Sequence, residues 1–465
     1  MPAGEIFTLT TAREVPKKAK ENNELTVTRG KQKEYQLIKV KDTWCRVESG
    51  QEIACDWEED PIIVSQAKIS EKISESGVSW TVQAPIYFRY KVIETQSLLD
   101  PSNSTLLYGH VSDPQELEVY QKKTQRRFIV IDVTVDKLHG SKVRKYFEAN
   151  NVHYKVMALP TTEETKSMDM VLKILEEVQK FGLDRRTEPI IAIGGGVCLD
   201  IVGLAASLYR RRTPYIRIPT TLLSYVDASV GAKNGVNFCN CKNKLGSYTP
   251  PAATFLDRSF IQTIPRRQIS NGLGEILKMA LMKHKGLFEL LESHGKYLLD
   301  TKFQSRNGLA SHGDAALTAM RLAIQTMLEE LAPNLWEDDL DRLVDYGHVI
   351  SPELEMKVLP ALMHGEAVNI DMALMTYVSL ERGLLTKDEK DRTIQCMKGL
   401  ELPVWHKDCS FQLVTKALGE RFKHSGGKLR LPLPTGLGTA EIFNDMCEES
   451  IKRAYEMWDK ECGEC

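Results

Sequence analysis

The chain has 465 residues, 42% of them hydrophobic and 27% charged, with a formal net charge of −2. That length can fill two cores, the composition is that of a globular protein, and the balanced charge offers no basic surface for nucleic acid or an anionic membrane. No apolar run of about 18 residues occurs, so no membrane span is expected. The first stretch, MPAGEIFTLTTAREVPKKAKENNE, lacks the apolar core of a secretory signal, and the expected location is cytoplasmic.

Residues 1–75 are polar and weakly patterned, with a charge cluster at 17–24 and short strands expected at 34–40, 43–47 and 62–64. They read as an N-terminal extension. The segment 79–95, SWTVQAPIYFRYKVIET, alternates and is rich in β-branched and aromatic residues, which suggests strands. A buried-strand run follows at 127–132, an amphipathic helix at 135–150, a strand at 154–159, a helix at 168–181 and a strand at 189–193. A helix at 201–209 and a strand at 215–218, ending in Pro219-Thr220-Thr221, continue the alternation. Strands alternating with helices predict an α/β domain with a parallel sheet. Beyond residue 263 the spacing turns helical, at 271–299, 315–331, 354–383 and 387–397, so the second half is expected to be all-helical. The boundary is placed at Ile264-Pro265, giving an extension (1–75), an α/β nucleotide-binding domain (76–263) and a helical domain (264–465).

Ten cysteines, at 45, 55, 198, 239, 241, 396, 409, 447, 462 and 465, are scattered and read as free thiols of a reducing compartment. Cys462 and Cys465 form a CxxC at the tail with no second pair nearby, which reads as a frayed end rather than a metal knuckle. Cys239 and Cys241, flanking Asn240 in a polar turn, read as structural.

Four groups of residues carry chemistry. In IAIGGGVCLD (191–200) an apolar run ends in three glycines, and Asp200 follows. Glycine lets the backbone approach a phosphate, and a helix N-terminus offers free N–H groups. The stretch is neither GxGxxG nor GxxxxGK[ST], and alone it reads either as a phosphate loop or as a tight turn under a helix. Glu275 in GLGEILKMA, His348 in DYGHVISPELE and His364 in HGEAVNIDM put a carboxylate and two imidazoles on separate helical segments. That is an open-site zinc set, although lone histidines beside glycines are more often hydrogen-bonded structural groups. Lys278 follows Glu275 one helical turn later. In 227–246, DASVGAKNGVNFCNCKNKLG, Asp227, Lys233, Asn234, Asn237, Lys242, Asn243 and Lys244 suit a phosphate and several hydroxyls, or a solvated hairpin. The basic loop RFKHSGGKLRLPLP (421–434), with His424, reads as a cover over an anionic ligand or as a surface hairpin.

Taken in order, GGGxxxD, PTTLLSxVDxSVGxKxxxN, KNxLG, GxxEILK, GH and HGEAV resemble the sugar phosphate cyclase superfamily, whose best-known member is dehydroquinate synthase, over residues 120–440. The resemblance implies a Rossmann-like NAD-binding domain followed by an all-α metal- and substrate-binding domain. It also implies bound NAD, a divalent metal (zinc, with cobalt as the alternative), a small sugar phosphate as substrate, and a homodimer. Carried over residue by residue, Asp132 falls on the adenosine side. Glu163 and Lys166, in TTEETK, match DGExxK with Thr161 and Thr162 replacing Asp-Gly. Gly195, Gly196, Val197 and Asp200 match the pyrophosphate loop, with Leu199 replacing a glycine. Thr220 and Thr221 match the nicotinamide side, and Phe260 and Thr263 a further NAD-contacting segment. Asp227, Lys233, Lys242 and Asn243 match cofactor and substrate contacts, with Asp227 as positioning and proton-relay group. Lys278 matches a substrate-contacting lysine, and Glu275, His348 and His364 match the metal ligands.

Departures bear on the substrate. Where dehydroquinate synthase reads NLGHTFGH, this chain has Asp345 for the asparagine and Pro352 for the second histidine. Asp341, beside Arg342, stands where an arginine is expected. Fewer cations suit a substrate without a carboxylate, which points to the branch using sedoheptulose 7-phosphate. Leu331, Asp345 and His424 agree with enzymes forming 2-epi-5-epi-valiolone; those forming desmethyl-4-deoxygadusol carry Glu, Ala and Thr there. The implied reaction is transient NAD-dependent oxidation, phosphate elimination, re-reduction, ring opening and aldol cyclisation. The alternatives are desmethyl-4-deoxygadusol or dehydroquinate formation and, outside catalysis, a degenerate NAD-binding regulatory protein. Iron-dependent polyol dehydrogenases share the architecture and would produce net NADH.

Overall fold

The computed structural model describes residues 88–304 and 314–463, residue 86, and six earlier strands: Ile6–Thr8, Gln36–Val40, Thr43–Glu48, Gln51–Glu52, Lys68–Ser74 and Gly77–Gln83. Those strands belong to one compact unit; the sheet, helices and site described below belong to the other, which starts at Arg89. Of the three strands expected before residue 75, the first two correspond to Gln36–Val40 and Thr43–Glu48, paired antiparallel. The third, at 62–64, lies outside the described residues.

Six parallel strands form the central sheet: β1 (Lys91–Glu94), β2 (Arg126–Asp132), β3 (His153–Leu159), β4 (Ile190–Gly194), β5 (Tyr215–Pro219) and, after a hairpin of β6 (Lys233–Phe238) and β7 (Cys241–Tyr248), β8 (Ala253–Leu256). Their order is β1-β8-β5-β4-β2-β3. β4 and β5 are buried along their whole length; β4 reads as an unbroken apolar run, whereas β5 carries Arg217, fully buried with its guanidinium on the Gly231 and Lys233 carbonyls. Helices α1 (Val133–Ala149), α2 (Met168–Phe181) and α3 (Gly196–Leu208) connect the first strands. From β2 the chain moves outward to β3, then returns to lay β4 against the other side of β2. The C-terminal ends of β2 and β4 therefore flank a switch point, where open α/β sheets bind ligands.

The rest is mostly helical: α4 (Arg266–Lys283), α5 (Lys285–Thr301), α6 (Ala315–Leu331), α7 (Ser351–Val358), α8 (His364–Glu381), α9 (Lys387–Gly399), α10 (Phe411–His424) and α11 (Glu448–Cys462). Its large apolar core joins Leu273, Leu277, Phe288, Met320, Ile370, Leu374 and Trp458. Four expectations are corrected. The helix read at 271–299 is two helices broken at His284, whose Nδ1 accepts the Leu287 N–H at 3.0 Å and caps the second. The helix read at 354–383 is α7 and α8, separated by a linker containing Pro360. Within the helical half sits a hairpin, β9 (Leu431–Gly436) and β10 (Thr439–Phe443), where Pro432 and Pro434 preclude a helix and Leu431 and Leu433 are fully buried. The tail is not frayed at Cys462, which is buried on α11; Cys465 lies outside the described residues. Among the described residues, no helix is long and apolar enough to cross a membrane.

Candidate active site

At the end of β4, Gly195 is the N-cap of α3 and Gly196 its first residue, so the glycine run is itself the start of the helix, with Val197 in the first turn. A Cβ on Gly195 would touch Thr221 at 3.4 Å, and one on Gly196 would press on Ala228 at 3.3 Å. Glycine thus keeps this helix N-terminus, whose free N–H groups suit an anion, open beside the loop after β5. Thr220 donates its N–H to the Gly194 carbonyl at 3.0 Å, and Thr221 and Ser224 share a hydroxyl hydrogen bond at 2.8 Å.

Asp200, one turn into α3, lies 2.6 Å from the buried Lys166 ammonium, which also donates to Asn243 Oδ1 at 2.7 Å. Burial disfavours the charge on Lys166, but Asp200 and Glu163 outweigh it and hold the ammonium protonated above its usual range. Glu163 accepts from Asn237 at 2.8 Å, and Asn237 in turn accepts the Asn243 N–H at 2.9 Å. Glu163, Lys166, Asp200 and Asn243, far apart in sequence, form one cluster. At the end of β2, Asp132 caps α1 through the Thr134 and Val135 N–H groups, at 2.8 and 3.1 Å, and accepts the Thr161 hydroxyl at 2.7 Å. Thr263 bonds His139 at 3.0 Å, and the His139 ring lies edge-on to Phe260 at 5.0 Å.

Glu275, His348 and His364 converge so that one donor atom from each lies within 4.8 Å of the others. The two Nε2 atoms are 3.3 Å apart, and Glu275 Oε1 faces them at 3.7 Å (His348) and 3.5 Å (His364). Glu275 is fully buried, and among the described residues Oε1 accepts no hydrogen bond. The His348 Nδ1–H faces the Tyr346 carbonyl at 3.2 Å, leaving the Nε2 lone pair inward. Burial and Lys278 push the His348 imidazole down to about 3, so it is neutral, the form that ligates. His364 Nδ1 faces Glu355 at 2.9 Å, and Lys242 Nζ lies 2.5 Å from the same carboxylate and 3.0 Å from that nitrogen. Burial would raise the Glu355 carboxyl, but His364 and Lys242 hold it well below the usual range. The turn after His348 is pinned by Asp371, which accepts the N–H groups of Val349, Ile350 and Ser351 at 2.8, 2.6 and 2.9 Å. An inward His348 lone pair, a His364 Nε2 facing the same point with the Glu355 carboxylate behind its Nδ1, and a carboxylate oxygen without a proton donor fit a divalent ion. Glu355→Gln removes the charge behind His364 and is expected to weaken metal affinity about 10- to 100-fold in chelator competition; an unchanged affinity would leave Glu355 a bystander.

Most of the remaining predicted residues border this centre. Lys278 Nζ lies 2.5 Å from Glu275 Oε2. Asp227 sits on a π-helical turn after β5, and its carboxyl is raised by burial and by Glu275, against Lys278. Lys233 is half-exposed and paired with Glu337. Asp345 Oδ2 accepts from Arg342 at 3.0 Å and from Arg421 at 3.1 Å. Burial would raise the Asp345 carboxyl, but these two guanidinium groups outweigh it and hold it low. His424, by contrast, stands on the exposed end of α10, 3.6 Å from Glu420; the α10 side chain that reaches Asp345 is Arg421. Leu331 Cδ1 packs where a Cβ on Gly231 would meet it at 3.3 Å. Glu337 and Glu355 carry no motif signal; Arg421 opens the basic stretch 421–434 singled out in the sequence, but it sits on α10 rather than in a loop. Only the α-helical phase of Glu355, one residue in a charged helix, was available to mark it.

The chain matches the family model for 3-dehydroquinate synthase N-terminal over residues 156–271 and that for 3-dehydroquinate synthase C-terminal over 272–423. It is 46% identical over 378 residues to a 2-epi-5-epi-valiolone synthase of Actinomyces sp., covering 81% of this chain and 97% of that one. To the demethyl-4-deoxygadusol synthase of Trichormus variabilis it is 33% identical over 386 residues, covering 83% and 91%. Among solved structures it is similar to ValA, the 2-epi-5-epi-valiolone synthase of Streptomyces hygroscopicus subsp. jinggangensis 5008, with NAD+ and Zn2+ bound. That similarity has a TM-score of 0.76 and 43% identity, and covers 82% of this chain and 100% of that one.

Proposed function

This chain belongs to the 3-dehydroquinate synthase family, and from that premise we propose that it converts sedoheptulose 7-phosphate to 2-epi-5-epi-valiolone and inorganic phosphate. The observation that carries the choice of substrate is Asp345. Held between Arg342 and Arg421, it neutralises cations that a substrate carboxylate would need, and it presents an acceptor suited to a hydroxyl.

When bound, NAD supplies reversible hydride transfer and a divalent ion, zinc or cobalt, supplies Lewis acidity toward an alcohol oxygen. The chain's own residues supply placement. Gly195, Gly196 and Val197, backed by Lys166 and Asp200, receive the pyrophosphate, and Asp132 and Glu163 lie toward the adenosine side. Thr220, Thr221, Phe260 and Thr263 border the nicotinamide side. Glu275, His348 and His364 hold the metal. Lys233, Lys242 and Lys278 orient phosphate and hydroxyls, with Asn243 adding amide contacts. Asp227 positions the reacting alcohol and relays its proton. The same reading makes the protein a phosphate-eliminating carbon–oxygen lyase, homodimeric and cytoplasmic.

Incubation with sedoheptulose 7-phosphate, NAD+ and Zn2+ or Co2+ is expected to release phosphate with no net NADH, yielding a C7 cyclitol identified by mass and NMR. Absence of phosphate release would overturn the reading. Release with another cyclitol would replace the product, and net NADH would mark a polyol dehydrogenase.

A further inference from the structure

Between Leu331 and Asp345 stands a carboxylate that the motif string leaves unused. Glu337 occupies a left-handed backbone position, φ 57°, in a turn closed by its N–H on the Asn334 carbonyl at 3.0 Å. Its side chain is only 9% exposed, yet three donors from different segments converge on it. The Tyr248 hydroxyl donates to Oε2 at 3.0 Å, the Arg342 guanidinium pairs with the same oxygen, and the Lys233 ammonium pairs with Oε1. Lys233 and Tyr248 face each other across the β6–β7 hairpin. Trp336, next to Glu337, lies against the Tyr248 ring at 5.7 Å.

The arrangement joins two halves of the site. The hairpin carries Lys233 and Lys242, while the segment after Glu337 carries Arg342, Asp345 and then His348. Arg342 also pairs with Asp345, which Arg421 holds from a second side, so loss of Glu337 leaves that pair in place and acts on the phosphate-seeking lysine. Two cations brought this close repel unless an anion sits between them. A lysine whose side chain is 57% exposed samples many rotamers unless something holds its end, and a held cation binds an anion with less ordering cost.

We propose that Glu337 is a positioning residue for the anionic end of the substrate, acting through Lys233. This rests on the function proposed above. A carboxylate that merely braced the fold would change stability and leave the Michaelis constant alone; one that presents Lys233 changes substrate binding, and does so only while Lys233 is there.

The test compares full-length wild type, Glu337→Gln, Lys233→Met and the double variant, each with NAD+ and Zn2+, by phosphate release. Glu337→Gln is expected to raise KM for sedoheptulose 7-phosphate and the inhibition constant of inorganic phosphate by about tenfold, with kcat changed by less than about threefold. In the Lys233→Met background the same substitution is expected to change neither constant further. Additive effects, or a lowered melting temperature with unchanged KM, would overturn the proposal. If Glu337→Gln does not fold, Glu337→Asp is read in its place: it keeps the charge but shortens the arm, and an unchanged KM would again overturn the proposal. If the wild type releases no phosphate, the function fails instead. Glu337 is then tested by the affinity of inorganic phosphate in calorimetry, where a tenfold loss in Glu337→Gln supports the role and no loss rejects it.

Discussion

Replacing His364 by alanine is expected to remove bound metal and turnover together. His364 supplies one of two Nε2 atoms, 3.3 Å apart, that face the buried Glu275 oxygen. Without it a carboxylate and one imidazole remain, too few protein donors for a catalytic zinc site, which ordinarily has three. A Lewis acid at an ionising alcohol contributes several kcal/mol, so kcat is expected to fall on the order of a thousandfold or more. The fold should survive. The His364 side chain is 24% exposed at the start of a helix, and α8 is anchored by a buried apolar face and by Gly365 N–H on Asn271 Oδ1 at 2.7 Å. Metal content after dialysis, measured beside phosphate release and a melting curve, separates the cases. Activity surviving with metal lost would remove the metal from the reaction, and metal retained in full would remove His364 from the ligand set.

What sequence could and could not reveal divides along contact range. The strand into the glycine loop was legible because β4 is buried on both faces, leaving an apolar run with no alternation to confuse it. The clustered trio Glu275, His348 and His364 was legible as residue types, although only the ordered motif string lifted it above a set of structural histidines. Lys166 and Asp200 were legible as motif positions but not as partners, since 34 residues separate them. Glu355 and Glu337 were invisible for the same reason, and Arg421 was legible only as one cation in a basic stretch. Each acts through an ion pair with a residue distant in the chain, and a charged residue on a helix or turn reads as solvated surface until its partner is placed. The break at His284 escaped because the cap is an imidazole rather than Ser, Thr, Asp or Asn. His424 and Arg421 show the limit in one helix. They are three residues apart and both basic, yet one faces solvent beside Glu420 and the other is locked onto Asp345.

Gly365→Ala is expected to cost about 3 kcal/mol of stability or more, and to loosen the metal even where the fold persists. A Cβ on Gly365 would fall inside the Asn271 carbonyl oxygen, and one on Gly274 would lie 2.7 Å from the Gly365 carbonyl oxygen. The obstacles are backbone atoms on two helices, so no side chain can turn aside to make room. Here α4 and α8 cross with their main chains in contact, and that contact sets the spacing of the proposed metal ligands. Glu275 follows Gly274, and His364 precedes Gly365. Pushing the helices apart by the width of a methyl group therefore separates Glu275 Oε1 from His364 Nε2 directly. Gly399→Ala is the control, because nothing lies within 4 Å of its Cβ position and its backbone demands no positive φ. There alanine is expected to be neutral or slightly stabilising. Denaturant midpoints and metal affinities of the two variants decide the matter. A Gly365→Ala protein with wild-type midpoint and wild-type metal affinity would show that the two helices are not in backbone contact, and that something other than their crossing brings the ligands together.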